Sequence, residues 1–256
     1  MLLALAACGS VDPAPEELDQ LAHWFWSGYD TADDVELAVA VARLDGLTPD
    51  LAEPLRASLT DLSVAEQATV ALDHPADPAA AAGMVVVDRL ACTLDQVERL
   101  AYAPDQDQLH EGVYESYDRV FTSDFDAYAA RATPTLTWDA AIGANVLGNA
   151  YVADTRGGLR WSPEDPAAPF GPLLAARAFL STPATFESDA ASFDQDYEVE
   201  VFYERTPGSV VHAWFVWRQM VYGGGLDTDD ADVVAGILSK LVEWDQATAE
   251  ACAEGA

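Results

Sequence analysis

Apolar positions change their period along the chain. Between about Pro15 and Arg131 they recur at helical spacing. Leu18, Leu21, Ala22, Phe25 and Trp26 fall on one helical face. Val35 to Leu44 forms a second helical run behind Thr31 and Asp33, with Gly46 as its expected stop. Thr48-Pro49 reads as an N-cap with proline at the first helical position. Ser63 with Glu66, and Thr93 with Gln96, have capping-box spacing, in which side chain and backbone satisfy each other's free groups. Pro75 to Ala82 reads as a loop or an Ala-rich turn.

From Thr133 the period shortens to two. Thr135 to Trp138 alternates, and Tyr151–Ala153 with Leu159–Trp161 predicts a hairpin whose turn holds Gly157-Gly158. Ser162 to Pro172 is a Pro-rich connector. Tyr197–Arg205 and Val210–Met220 predict a long hairpin around Thr206-Pro207-Gly208-Ser209. On its first strand Tyr197, Val199, Val201 and Tyr203 share one face. Glu198, Glu200 and Glu204 share the other, which reads as solvated. The second strand is apolar on both faces, as a central strand would be. After Gly223-Gly224-Gly225, Asp227-Thr228-Asp229-Asp230 opens a last helix, from about Asp230 to Ala251. Its apolar positions Val233, Val234, Ile237, Leu238, Leu241 and Trp244 keep helical spacing.

The expected class is therefore α+β. It has a helical N-terminal half and an antiparallel sheet in the C-terminal half, closed by a C-terminal helix. The regions are 17–132, mainly helical, and 133–256, sheet plus helix, with both compatible with one domain. Over Thr133–Cys252 the element order resembles the helix-grip layout of START-like ligand-binding domains. That resemblance implies a curved antiparallel sheet around an apolar cavity under the last helix.

Composition changes this picture in one respect. Half of the 256 residues are hydrophobic, but Asp plus Glu number 44 against 12 Lys plus Arg, a net charge of −32. A surface this acidic repels nucleic acid and anionic headgroups. The acids are spread along the chain, which reads as a solvated surface.

The first residues carry an address. Met1-Leu2-Leu3-Ala4-Leu5-Ala6-Ala7 runs uncharged into Cys8, and polar, Pro-containing sequence follows. Leu5-Ala6-Ala7-Cys8 resembles the lipobox of bacterial lipoproteins. The resemblance implies cleavage before Cys8 and lipidation of its sulfur. Residues 1–7 would be a signal-peptide remnant and 8–16 a tether. The body would lie in the periplasm or outside the cell, with the lipid as its only membrane attachment. The apolar run is short and lacks a preceding Lys or Arg, so a start upstream of Met1 is expected. The other two cysteines, Cys92 and Cys252, form either a disulfide, as an oxidising compartment favours, or two separate buried thiols.

Candidate chemistry is sparse. Asp227–Asp232 departs from an EF-hand at Ala231, Asp232 and Leu238, so it reads as a helix cap and not as a calcium loop. His23, His74, His110 and His212 lack metal-ligand spacing, and no metal or cofactor is expected. His110-Glu111 reads as a surface pair and His212 as a satisfied strand histidine. Ser162, Ser181 and Ser209 lack a nucleophile-elbow frame, and neither glycine cluster has a phosphate-loop continuation. Of Trp24, Trp26, Trp214 and Trp217, the core reading suits Trp26 and Trp214 best, while stacking on a ligand is open to the others. The leading expectation is a non-catalytic envelope lipoprotein that binds a protein partner or a small ligand. The alternative is a helix-grip carrier of an apolar ligand, and a cryptic hydrolase comes third. A buried histidine among clustered acids would favour the last.

Overall fold

The computed structural model describes residues 14–146, 148–164, 170–187, 189, 191–223, 226–228 and 230–255. Cys8 and its lipobox lie outside the described residues. The chain begins with helices α1 (Leu18–Gly28) and α2 (Asp34–Leu47), then β1 (Leu55–Leu59), α3 (Val64–Gln67) and β2 (Ala82–Leu90). Next come α4 (Leu94–Tyr102), α5 (Gln106–Leu109), β3 (Ser116–Phe121) and α6 (Phe125–Ala129). The rest is β4 (Thr135–Val146), β5 (Asn149–Ser162), β6 (Leu173–Leu180), β7 (Thr185–Phe186), β8 (Ser192–Thr206), β9 (Ser209–Gly223), β10 (Leu226–Asp227) and α7 (Ala231–Glu254). The expected α+β class is what the structure has.

Eight strands form one continuous antiparallel path, β1-β2-β9-β8-β6-β5-β4-β3, with β10 beside β9 and β7 beside β5. Helices dominate residues 17–132, as expected, yet β1, β2 and β3 come from there too. Gly83–Val87 is a short unbroken apolar run, which periodicity cannot divide between helix and strand. Tertiary pairing decides it, because β2 is zipped along β9 from Ala82 opposite Arg218 to Leu90 opposite Val210.

Both faces of the sheet are covered. On one, α1 and α2 pack on Tyr197, Val199, Val201 and Tyr203 of β8 and on Val211, Ala213, Phe215 and Trp217 of β9. Phe25 stacks on Phe215 with ring centroids 5.8 Å apart. The Trp26 and Trp217 indoles each donate to a backbone carbonyl, of Glu66 at 2.9 Å and of Thr60 at 2.8 Å. On the other face, α7 lays Ile237, Leu238, Leu241 and Val242 on Met84, Val86, Trp214 and Val216. Cys92, just before α4, and Cys252, near the end of α7, are disulfide-bonded with Cα atoms 5.6 Å apart. No helix among the described residues is long and apolar enough to cross a membrane.

Local signals mostly act as expected. Ser63 with Glu66, and Thr93 with Gln96, form full capping boxes, and Asp33 with Glu36 forms a third. The β8–β9 hairpin turns at Pro207-Gly208, where Gly208 has φ of +77°. Two local readings fail. Thr48 ends α2 rather than starting a helix, and its hydroxyl donates to the Leu44 carbonyl at 2.9 Å. Gly157-Gly158 is not a turn but the middle of β5, whose pairing with β4 runs from Arg160 opposite Thr135 to Asn149 opposite Val146. A Cβ at Gly157 would lie 2.8 Å from the Trp138 ring, so glycine here makes room for an indole crossing the strand.

Candidate functional site

From Asp196 to Tyr203 the two-residue alternation of β8 assigns its side chains to two environments. Its odd positions there, Tyr197 to Tyr203, are core under α1 and α2. Its even positions, Asp196, Glu198, Glu200 and Phe202, turn to the α7 side and line a cavity of about 170 Å³. Trp138, Tyr151, Phe193, Trp214 and Trp244 supply aromatic wall, and Val97, Leu159, Ala176 and Ala178 supply aliphatic wall. The Glu198–Glu200 face, expected in solvent, is therefore enclosed. A sheet covered on both sides leaves no strand face for water, and the apolar second strand of the hairpin already carried that signal.

At one pole Arg218 of β9 sits directly across from Asp196. Its guanidinium donates through Nε and Nη2 to the two Asp196 oxygens, each at 2.9 Å, and through Nη2 to Glu198 Oε1 at 2.6 Å. The fork geometry of arginine makes such a two-point contact both strong and directional. The side chains of Asp196, Glu198 and Arg218 keep only 11%, 14% and 19% exposure. Burial, and then the adjacent Asp196 charge, push the Glu198 carboxyl well above the usual carboxylate range, against the pull of Arg218.

At the other pole His212 is wholly enclosed. Its Nδ1 donates to Asp245 Oδ1 of α7 at 2.7 Å. Its Nε2 stands 3.1 Å from Glu200 Oε2, close enough for an ion pair but outside hydrogen-bond alignment. Burial alone would lower its pKa, but the two carboxylates overcome that and raise it to about 10. The ring is thus an imidazolium at neutral pH. It stacks on Phe202 at 4.1 Å between centroids. This is the buried histidine among acids that would favour a hydrolase. With no exposed edge, it can act on a bound molecule only through Glu200.

The remaining expected residues fall apart from one another. His110 is not a surface residue. It is 4% exposed and stacks on Trp244 with centroids 4.1 Å apart, and burial lowers its pKa to about 4. His23 pairs with Glu66 at 2.9 Å on the opposite side of the sheet. Trp214 and Trp217 exchange their expected roles, since Trp217 is core beneath α1 and Trp214 lines the cavity. Among the described residues, no group of three or more His, Cys, Asp and Glu is placed to hold a metal ion. Asp230 caps α7 by accepting from the Asp232 N–H at 2.8 Å.

No known protein family and no curated protein matches the sequence. Some solved structures are similar to it in part. Human StAR-related lipid transfer protein 5 is 10% identical, with 86% of this chain and 97% of that chain covered and a TM-score of 0.45. The lipid transfer and protein localization domain of human StarD13 is 10% identical, with 78% and 84% covered and a TM-score of 0.42. An aromatase/cyclase from Streptomyces sp. R1128 is 14% identical, with 66% and 90% covered and a TM-score of 0.36.

Proposed function

We propose that this protein binds and carries an apolar small molecule in the cavity between β8–β9 and α7. The supporting observation is a mainly aromatic and aliphatic cavity with a convergent polar cluster, Asp196–Arg218–Glu198, at one of its poles. Ligand sites combine just these parts, an apolar body that supplies affinity and a few fixed polar groups that orient. Both cations are held internally, Arg218 by Asp196 and His212 by Asp245 and Glu200. An anionic ligand finds no spare cation there, so the fitting ligand carries no net negative charge. The carrier thus comes ahead of a lipoprotein that docks a protein partner. It needs binding, not turnover.

The address is a separate proposal, a cell-envelope protein anchored through a lipid on Cys8. Its support is the Leu5-Ala6-Ala7-Cys8 sequence and the polar stretch behind it. A Cys8→Ala variant that still fractionates with membranes overturns the anchor and leaves the carrier untouched.

The carrier is tested by native mass spectrometry of protein purified from its own source. A co-purifying apolar adduct is expected from the wild type. It is lost from an Ala176→Phe variant, whose added ring fills the cavity while circular dichroism stays unchanged. Adduct retained in full by that variant, or absent from the wild type, overturns the reading.

A further inference from the structure

Folded proteins pair nearly all of their buried polar groups. Among the described residues, six buried side-chain polar atoms have no hydrogen-bond partner, and five of them lie in one place. They are His110 Nδ1, His212 Nε2, Trp214 Nε1, Trp244 Nε1 and Asp245 Oδ2. The rings form one connected cluster. His110 lies 4.1 Å from Trp244, Trp244 lies 5.2 Å from Trp214, and Trp214 lies 5.5 Å from His212. His212 Nε2 has the Glu200 charge beside it. The two indole nitrogens have nothing comparable.

An indole N–H is a donor only, and leaving it unpaired in a dry site is costly. Elsewhere in this chain the fully buried indoles of Trp26 and Trp217 each reach a backbone carbonyl, so the fold provides acceptors where indoles serve only as core. Trp214 and Trp244 differ from those two in one other way, which is that both line the cavity. They come from two different elements, β9 and α7, that also pack directly on each other. Trp214 is 7% exposed, so its ring is part of the wall and not of the outer surface.

We infer that Trp214 and Trp244 are the donors of a ligand subsite for a hydrogen-bond-accepting oxygen, of the carbonyl class, set in the apolar body of the bound molecule. A carbonyl oxygen has two lone pairs and accepts from two donors at once. The two rings are in contact, with centroids 5.2 Å apart. The assignment rests on the carrier reading and sharpens it. The ligand has two polar points, one opposite Arg218 and Glu198 and one opposite the indole pair, joined by apolar framework. It also assigns α7 a role beyond covering the cavity, because Trp244 makes the helix part of the recognition surface.

The test uses two probes of one shape, 2-acetonaphthone, which carries a carbonyl, and 2-ethylnaphthalene, which does not. Affinities are measured by calorimetry for the full chain, for Trp214→Phe and for Trp244→Phe. Phenylalanine keeps an apolar ring and removes the N–H. The quantity read is the ratio of the two affinities within each protein, so a general loosening of the cavity cancels. Wild type is expected to favour the ketone about tenfold, and each variant to lose threefold or more of that preference. A preference that changes by less than threefold in both variants overturns the subsite. If both probes bind the wild type equally, the subsite falls and the carrier stands. If neither binds, both fall.

Discussion

Replacing Asp245 with asparagine isolates the charge that holds α7 to the sheet. The variant keeps the size of the side chain and an oxygen that can accept from His212 Nδ1, so what is lost is the charge 2.7 Å from the imidazolium. The raised folded pKa of His212 fixes the sign. Protonated His212 stabilises the fold fully below its ordinary 6.5, and that contribution disappears as pH rises through about 10. The whole interval corresponds to about 5 kcal/mol at ~1.36 kcal/mol per tenfold step in proton affinity. About 3 kcal/mol of it operates at pH 7.5. Asp245 raises the pKa more than Glu200 does, and Asp88 of β2, opposite His212 in the register, adds a further nearby acid. The expected loss in Asp245→Asn at pH 7.5 is therefore about 2 kcal/mol. Urea unfolding with the disulfide intact, repeated from pH 6 to 10.5, measures it. Wild-type stability should fall across that range, and the variant should start lower and fall less. Parallel pH profiles, or a difference below 0.5 kcal/mol or so at pH 7.5, refute the account of His212 as a buried cation held by α7.

Three further outcomes follow from the same structure. The Cys92–Cys252 bridge closes a loop of 160 residues, so a Cys92→Ser/Cys252→Ser double variant should lose up to about 5 kcal/mol, read from its urea midpoint; a free thiol in the untreated wild type contradicts the bridge. His110 has a lowered folded pKa, so its contribution is present above 6.5 and lost as pH falls toward about 4. A His110→Phe variant should accordingly lack up to about 3 kcal/mol of the wild type's acid destabilisation, and identical acid limbs would contradict this. Gly157→Ala should cost about 1–3 kcal/mol in thermal unfolding, since its methyl meets the Trp138 ring at 2.8 Å, and a smaller Trp138→Leu partner should restore part of the loss.

The sequence made the local features legible and left the assembly hidden. The β8–β9 hairpin, the long C-terminal helix and both expected capping boxes follow from spacing within a few residues, and they stand close to where spacing puts them. Strand β2 was hidden because an unbroken apolar run has no period. The two glycines of β5 resembled a turn because only the Trp138 ring, 19 residues earlier, shows why they are needed. The site was the least legible part. Arg218 meets Asp196 across 22 residues and His212 meets Asp245 across 33, so no short motif contains either pair. One clue was available. A strand apolar on both sides cannot neighbour a strand with a wet face, and that argument alone moves Glu198 and Glu200 indoors.

The alternation of β8 and β9 has a further consequence, for how such a chain can change over time. Positions 197, 199, 201 and 203 of β8 and 211, 213, 215 and 217 of β9 anchor the sheet to α1 and α2, while 196, 198, 200, 202, 214 and 218 line the cavity. Scaffold and specificity are thus written on the same two strands in interleaved, separately editable registers. Substitutions at 196, 198, 200, 214 and 218 can retune selectivity while 197, 199, 201, 213 and 215 go on holding the molecule together. On the proposed carrier function, a library confined to 196, 198, 200, 214 and 218 should yield folded proteins with new preferences far more often than one of equal size drawn from both registers.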